Sequence, residues 1–144
     1  MQELQDRIRF VRPAIAWALA AIFLAISVPA HSQAHVIEVV ADKDSRFKVG
    51  GQNRPEIMVK AGEAILLRVD ARKGKTWDRD GAVHGFTLLR AKDRAKVPGW
   101  NLELKQGRQQ FVLIAPAPGE YEVVCTVICS DDHEGMRIKV VVTP

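Results

Sequence analysis

The chain has 144 residues, 47% apolar and 26% charged, and carries a net charge of +4 with acids and bases interspersed. That is one domain's worth of an ordinary globular composition, neither disordered nor fibrous. The charge is too mild, and basic residues too little interleaved with aromatics, to indicate a nucleic-acid partner.

The chain opens with Arg7, Arg9 and Arg12 ahead of a 15-residue apolar run, Ala14 to Val28. Pro29 ends that run, and Ser32-Gln33-Ala34 offers small residues where a signal peptidase reads. These are the parts of a secretory signal peptide. The run falls short of the roughly 20 apolar residues a span needs, although the stretch free of charged side chains continues from Pro13 to Ile37. An uncleaved anchor helix is the alternative. The expected division is therefore 1–34, signal peptide or anchor, and 35–144, one globular domain. The expected location is periplasmic or otherwise extracytoplasmic, with inner-membrane attachment only if the segment is retained. Cleavage after Ala34 would place His35 at the new N-terminus, where amine and ring together chelate copper; the chain has a better site, described below.

After residue 35 no long 3.6-residue apolar pattern appears. Short β-branched runs punctuated by Gly and Pro predict an all-β sandwich or barrel. Strands are predicted at 36–41, at 55–60 and 64–71 around the turn Ala61-Gly62-Glu63, at 84–89, 100–104, 109–115, 120–125 and 137–143. The segment 46–54, with Gly50-Gly51, reads as a loop or irregular edge. Segments 72–81 and 91–100 read as basic loops, the first containing Trp77, either a docking aromatic or a cap on the core. Phe86 and Leu88 share a face with His84 by the two-residue period of a strand, so the histidine is expected to emerge from an apolar wall. Tyr121 is expected to pack in the core.

The most informative stretch runs from Cys125 to Met136. It places Cys125, Cys129, His133 and Met136 in the pattern Cys-x3-Cys-x3-His-x2-Met, and both cysteines of the chain lie in it. Soft sulfur with imidazole nitrogen suits copper. A mononuclear blue-copper site uses one cysteine, two histidines and a weak axial methionine. A second cysteine four residues away allows both sulfurs to bridge one pair of ions. The same two cysteines in an exported protein could instead form a disulfide, zinc is a further candidate although methionine is an unusual zinc ligand, and His133 or Met136 taken singly could be core residues.

The run resembles the metal loop of the binuclear copper (CuA) domain found in subunit II of cytochrome c oxidases and at the C-terminus of nitrous oxide reductase. The resemblance covers roughly residues 55–144, and Val83-His84-Gly85-Phe86-Thr87 is similar to the family's upstream histidine segment. It implies a cupredoxin-like Greek-key sandwich or barrel. It also implies two copper ions bridged by Cys125 and Cys129, one taking His84 and Met136, the other His133 and the main-chain carbonyl of Val127. Many members carry Glu where Val127 stands and Gly where Ser130 stands; a carbonyl ligand tolerates Val. Such a centre leaves no coordination position open for substrate, and an open position is the mark of a catalytic metal. The expected role is electron transfer in a respiratory chain, with a redox partner such as a c-type cytochrome or a terminal oxidase. The alternatives are a membrane-anchored CuA subunit of a terminal oxidase and a periplasmic copper-delivery protein. Asp131, Asp132 and Glu134 at the loop tip are placed to attract a basic partner, or are simply solvated.

Overall fold

A computed structural model describes residues 33–53, 55–76 and 80–144. The signal or anchor segment up to residue 32, and Trp77, lie outside the described residues. Among the described residues nine strands follow one another: β1 His35–Ala41, β2 Phe47–Lys48, β3 Glu56–Lys60, β4 Ala64–Ala71, β5 Ala82–Arg90, β6 Lys96–Lys105, β7 Gly107–Ile114, β8 Gly119–Val124 and β9 Arg137–Thr143. A single 3-10 turn, His133–Gly135, interrupts the last connection. No helix among the described residues is long and apolar enough to cross a membrane.

The strands form two mixed sheets, one in the order β2-β1-β4-β7 and the other β3-β9-β8-β5-β6. Pairing is antiparallel except for β1 with β4 and β3 with β9, which run parallel. The period-two pattern dictates the packing. Ile37, Val39, Ile65, Leu67 and Val69 turn inward from the first sheet to meet Ile57, Val59, Phe86, Val123 and Val140 of the second. Strand β5 departs from that alternation, because its first eight residues are all buried. One face carries His84, Phe86 and Leu88 into the core. The loop after β8 covers part of the other, where Thr87 Oγ1 lies 3.2 Å from Thr126 Oγ1.

Two segments differ from the sequence reading. Residues 91–100 were expected to be a loop, yet β6 begins at Lys96. Thr87 pairs with Asn101 and Leu89 with Lys96, so Leu88 alone stands opposite the four residues Val97 to Trp100. This is a large bulge. Gly99 takes φ +79° in it, and Pro98 is tolerated because a bulge leaves its position out of the ladder. The bulge aims Trp100 at the core, where its indole N–H donates to the Ile114 carbonyl at 2.9 Å. The second difference is Phe47, in the segment read as an irregular edge. It is fully buried in β2 and meets Phe86 edge to face, ring centroids 5.3 Å apart. Tyr121 packs as expected and also donates to the Ala117 carbonyl at 2.7 Å, closing the turn before β8.

Two buried or half-buried carboxylates tie loops to the sheets. Asp42, next to Lys48 Nζ at 2.6 Å, is held below its ordinary pKa mainly by that contact. Burial pushes Glu122 up, but the Arg94 and Arg137 guanidiniums outweigh it and leave the carboxyl below its ordinary value. A carboxylate with a lowered folded-state pKa contributes stability above its ordinary pKa, and that contribution is lost as pH falls through the folded-state value. The urea midpoint is therefore expected to hold steady from pH 7 to about pH 5 and to fall by pH 3. Replacing Glu122 with Gln should flatten part of that fall.

Candidate metal centre

The cysteine-rich stretch is the connection between β8 and β9, at one end of the sandwich. The backbone N–H of Cys125 donates to the Met136 carbonyl at 3.2 Å, so the loop is pinned shut where it leaves the sheet. Alternation within it puts Cys125, Val127 and Cys129 inside and Thr126 and Ile128 outside. The two sulfurs are buried and stand 3.8 Å apart as free thiols. A disulfide needs about 2.05 Å. The Val127 carbonyl turns inward, accepting from the Cys129 N–H at 2.8 Å and lying 3.2 Å from Cys125 Sγ.

His84 comes from the other direction, near the start of β5, and is fully buried. One ligand atom each from His84, Cys125 and Cys129 lie within 4.8 Å of one another. The Nε2 of His84 is 2.8 Å from the Arg72 carbonyl. A carbonyl only accepts, so the ring proton belongs on Nε2 and the lone pair on Nδ1. That Nδ1 is the one buried side-chain nitrogen or oxygen among the described residues with no hydrogen-bond partner. Buried polar atoms are normally satisfied. An imidazole whose far nitrogen is fixed by a carbonyl while the near one is bare is how proteins present histidine to a metal.

The remaining predicted residues sit on the same loop. Met136 is fully buried. His133, half-buried, is not in the tight trio; its Nδ1 lies 3.0 Å from the Ser130 carbonyl, which leaves Nε2 with the lone pair. His35 is at the far end of β1, its Nδ1 3.4 Å from Glu63.

The two thiols titrate as a pair. Cys129 is pulled well below the ordinary thiol value, first by the hydrogen bond from Cys125, with the Ser45 hydroxyl adding to it. Cys125 is pushed up by that same hydrogen bond and by burial. One proton thus leaves readily and the other is held between the sulfurs. A metal must displace the second proton, so loading releases protons and weakens as pH falls.

Several supporting groups gave no signal in the sequence. Gly85 donates its N–H to Cys125 Sγ at 3.4 Å. Thr76 reaches the metal loop twice, its hydroxyl donating to the Ile128 carbonyl at 2.6 Å and its N–H to the Cys129 carbonyl at 3.3 Å. Ser45 lies 84 positions from Cys129 and still places its hydroxyl 3.8 Å from that sulfur. Thr76 and Ser45 belong to no short motif, and Gly85 lies in the His84 segment with nothing there to mark its contact; only the folded sheet brings them together.

No family model matches the chain, and no curated protein sequence matches it. Solved structures do. Auracyanin A, a "blue" copper protein from Chloroflexus aurantiacus, aligns with a TM-score of 0.54 at 19% identity, over 75% of this chain and 98% of that one. Auracyanin from Roseiflexus castenholzii aligns with a TM-score of 0.51 at 17% identity, over 77% and 98%. Rusticyanin, a copper protein, aligns with a TM-score of 0.51 at 21% identity, over 75% and 76%. The chain has a cupredoxin-like fold. Identities this low establish the architecture alone. In this cupredoxin-like sandwich the trio His84, Cys125 and Cys129 lies where the start of β5 meets the loop after β8. Its two thiols and one bare imidazole nitrogen, buried together, suit a soft or borderline metal ion.

Proposed function

We propose that this chain is an exported electron-transfer protein with a CuA-like centre of two copper ions, working in a respiratory chain. Cys125 and Cys129 would bridge the ions. His84 and Met136 would complete one, and His133 with the Val127 carbonyl the other. When bound, the ions supply a store for a single electron. The chain's own residues do the rest. Arg72 fixes the His84 ring by its carbonyl. Gly85 and Ser45 aim donors at the sulfurs. The β8–β9 staple and the Thr76 contacts hold the loop on a stiff sheet, so that ligands need not move when charge arrives.

The observation that carries this reading is the second sulfur. Auracyanin A is described as a blue copper protein, and a blue site uses one cysteine. Here Cys129 is as deeply placed as Cys125, 3.8 Å from it, and within the same 4.8 Å cluster as the unpartnered His84. A second buried free thiol beside a bare imidazole nitrogen supports a site that uses two thiolates.

The exposed rim supports a basic redox partner such as a c-type cytochrome, or a docking site on a terminal oxidase. Ile128, 67% exposed, projects from the loop between the two cysteines. Asp131, Asp132 and Glu134 are exposed on the same loop. An apolar contact ringed by acids would speed encounter with a cationic partner and make the rate fall with salt. Mass spectrometry of the exported protein would show whether it starts at His35 or keeps its first 34 residues as an anchor. The test of the centre itself is reconstitution of the metal-free protein with copper, removal of excess and elemental analysis. Two coppers per chain that together accept one electron are expected. A stable limit of one copper per chain would refute the binuclear reading.

A further inference from the structure

Ser45 sits in a tight turn between β1 and β2, and its backbone is in the left-handed region at φ +57°. Residues other than Gly seldom adopt that conformation, and serine is not among the types enriched there. The turn is held by the Ser45 N–H donating to the Asp42 carbonyl at 3.1 Å and the Asp42 N–H to the Arg46 carbonyl at 3.0 Å. Asp42 is itself clamped by Lys48 and by Arg72. Glycine would make such a turn without strain. The residue is nevertheless a serine, only 2% exposed, with its hydroxyl against the metal loop.

The hydroxyl has two neighbours, Cys129 Sγ and Ser130 Oγ. The acceptor fixes the direction, because Cys129 as a metal ligand is a thiolate with no proton to give. The Asp132 N–H donates to Ser130 Oγ at 3.1 Å. With the Ser45 proton directed at that thiolate, the Ser130 hydroxyl is the donor to Ser45. The chain of donors runs from Asp132 through Ser130 and Ser45 into the sulfur, each bond polarising the next.

We propose that Ser45 is a positioning residue that sets the reduction potential of the metal centre by donating a hydrogen bond to Cys129 Sγ. The inference rests on the reading of Cys129 as a copper ligand. A donor at the sulfur stabilises the form with more negative charge there, which is the reduced one. Removing it makes the reduced form less favourable and lowers the potential.

The test compares Ser45→Ala with Ser45→Gly in the full copper-loaded protein. Alanine deletes the hydroxyl and keeps the strained backbone; glycine deletes it and relaxes the turn. Each variant is measured for copper content, midpoint potential and the thermal midpoint of its metal-free form. With copper content unchanged, both variants should shift to lower potential by the same amount. At the wild-type midpoint their ratio of oxidised to reduced protein should rise about fivefold, the worth of one ordinary hydrogen bond. The metal-free glycine variant should be more stable than the alanine one. If Ser45 served only to shape the turn, the glycine variant would keep the wild-type potential, and that result overturns the inference. Loading of two coppers with no shift in either variant overturns it while leaving the copper reading intact. A wild-type protein that binds no copper removes the copper reading and this inference together.

Discussion

Replacing Gly85 with Ala is expected to destabilise the protein by about 3 kcal/mol, the upper part of the usual range for overpacking a core. For a domain of this size the thermal midpoint should fall by roughly 10–15 °C. Gly85 is in the middle of β5, where the chain leaving β8 crosses directly over it. A Cβ built there overlaps Thr126 Oγ1 and stands only 2.7 Å from the Thr126 backbone nitrogen. The hydroxyl could rotate away, but the backbone nitrogen belongs to the metal loop and moves only if Cys125 moves with it. The same displacement would stretch the hydrogen bond from Gly85 N–H to Cys125 Sγ, now 3.4 Å. Copper uptake should therefore weaken along with stability. Adding Thr126→Ala should recover part of the stability, since it removes the hydroxyl clash and leaves the backbone one. Thermal melts of the single and double variants, with and without copper, check this. A Gly85→Ala protein that melts within 2 °C of wild type would contradict the account of that crossing.

Cys129→Ser should lower copper content from two per chain to one or none. A hydroxyl is a far poorer ligand for copper than a thiolate, and the oxygen is held in the same place by the loop. The fold should survive, because the substitution is nearly isosteric and the Ser45 hydroxyl is at hand to satisfy the new one. Near-wild-type melting of the metal-free variant together with loss of at least one copper would separate a bridging role from a merely structural one. Elemental analysis and circular dichroism on one preparation measure both.

Most of the strands were legible because sandwich strands alternate inward and outward, and that period survives in the sequence at 36–41, 64–71 and 137–143. The ligand loop was legible because its residues are close along the chain. What could not be read depends on contacts across the fold. Strand β6 was hidden by Pro98-Gly99, which announce a loop but here make a bulge within a strand. Phe47 lies in a glycine-flanked, polar segment, and only the opposite sheet shows that Phe86 waits for it. The Arg72 carbonyl carries no side-chain signature at all, yet it decides which nitrogen His84 presents. Ser45 and Thr76 belong to turns whose composition reads as solvated. Gly85 followed by an apolar residue has no helical or turn meaning; its necessity appears only when Thr126 is laid over it.

The measurement that bears most directly on the central claim is electron paramagnetic resonance of the oxidised, copper-loaded protein beside a metal count. An unpaired electron shared through Cys125 and Cys129 should show the hyperfine pattern of two equivalent copper nuclei, with two ions per chain. A pattern from a single copper nucleus, at one ion per chain, would contradict it.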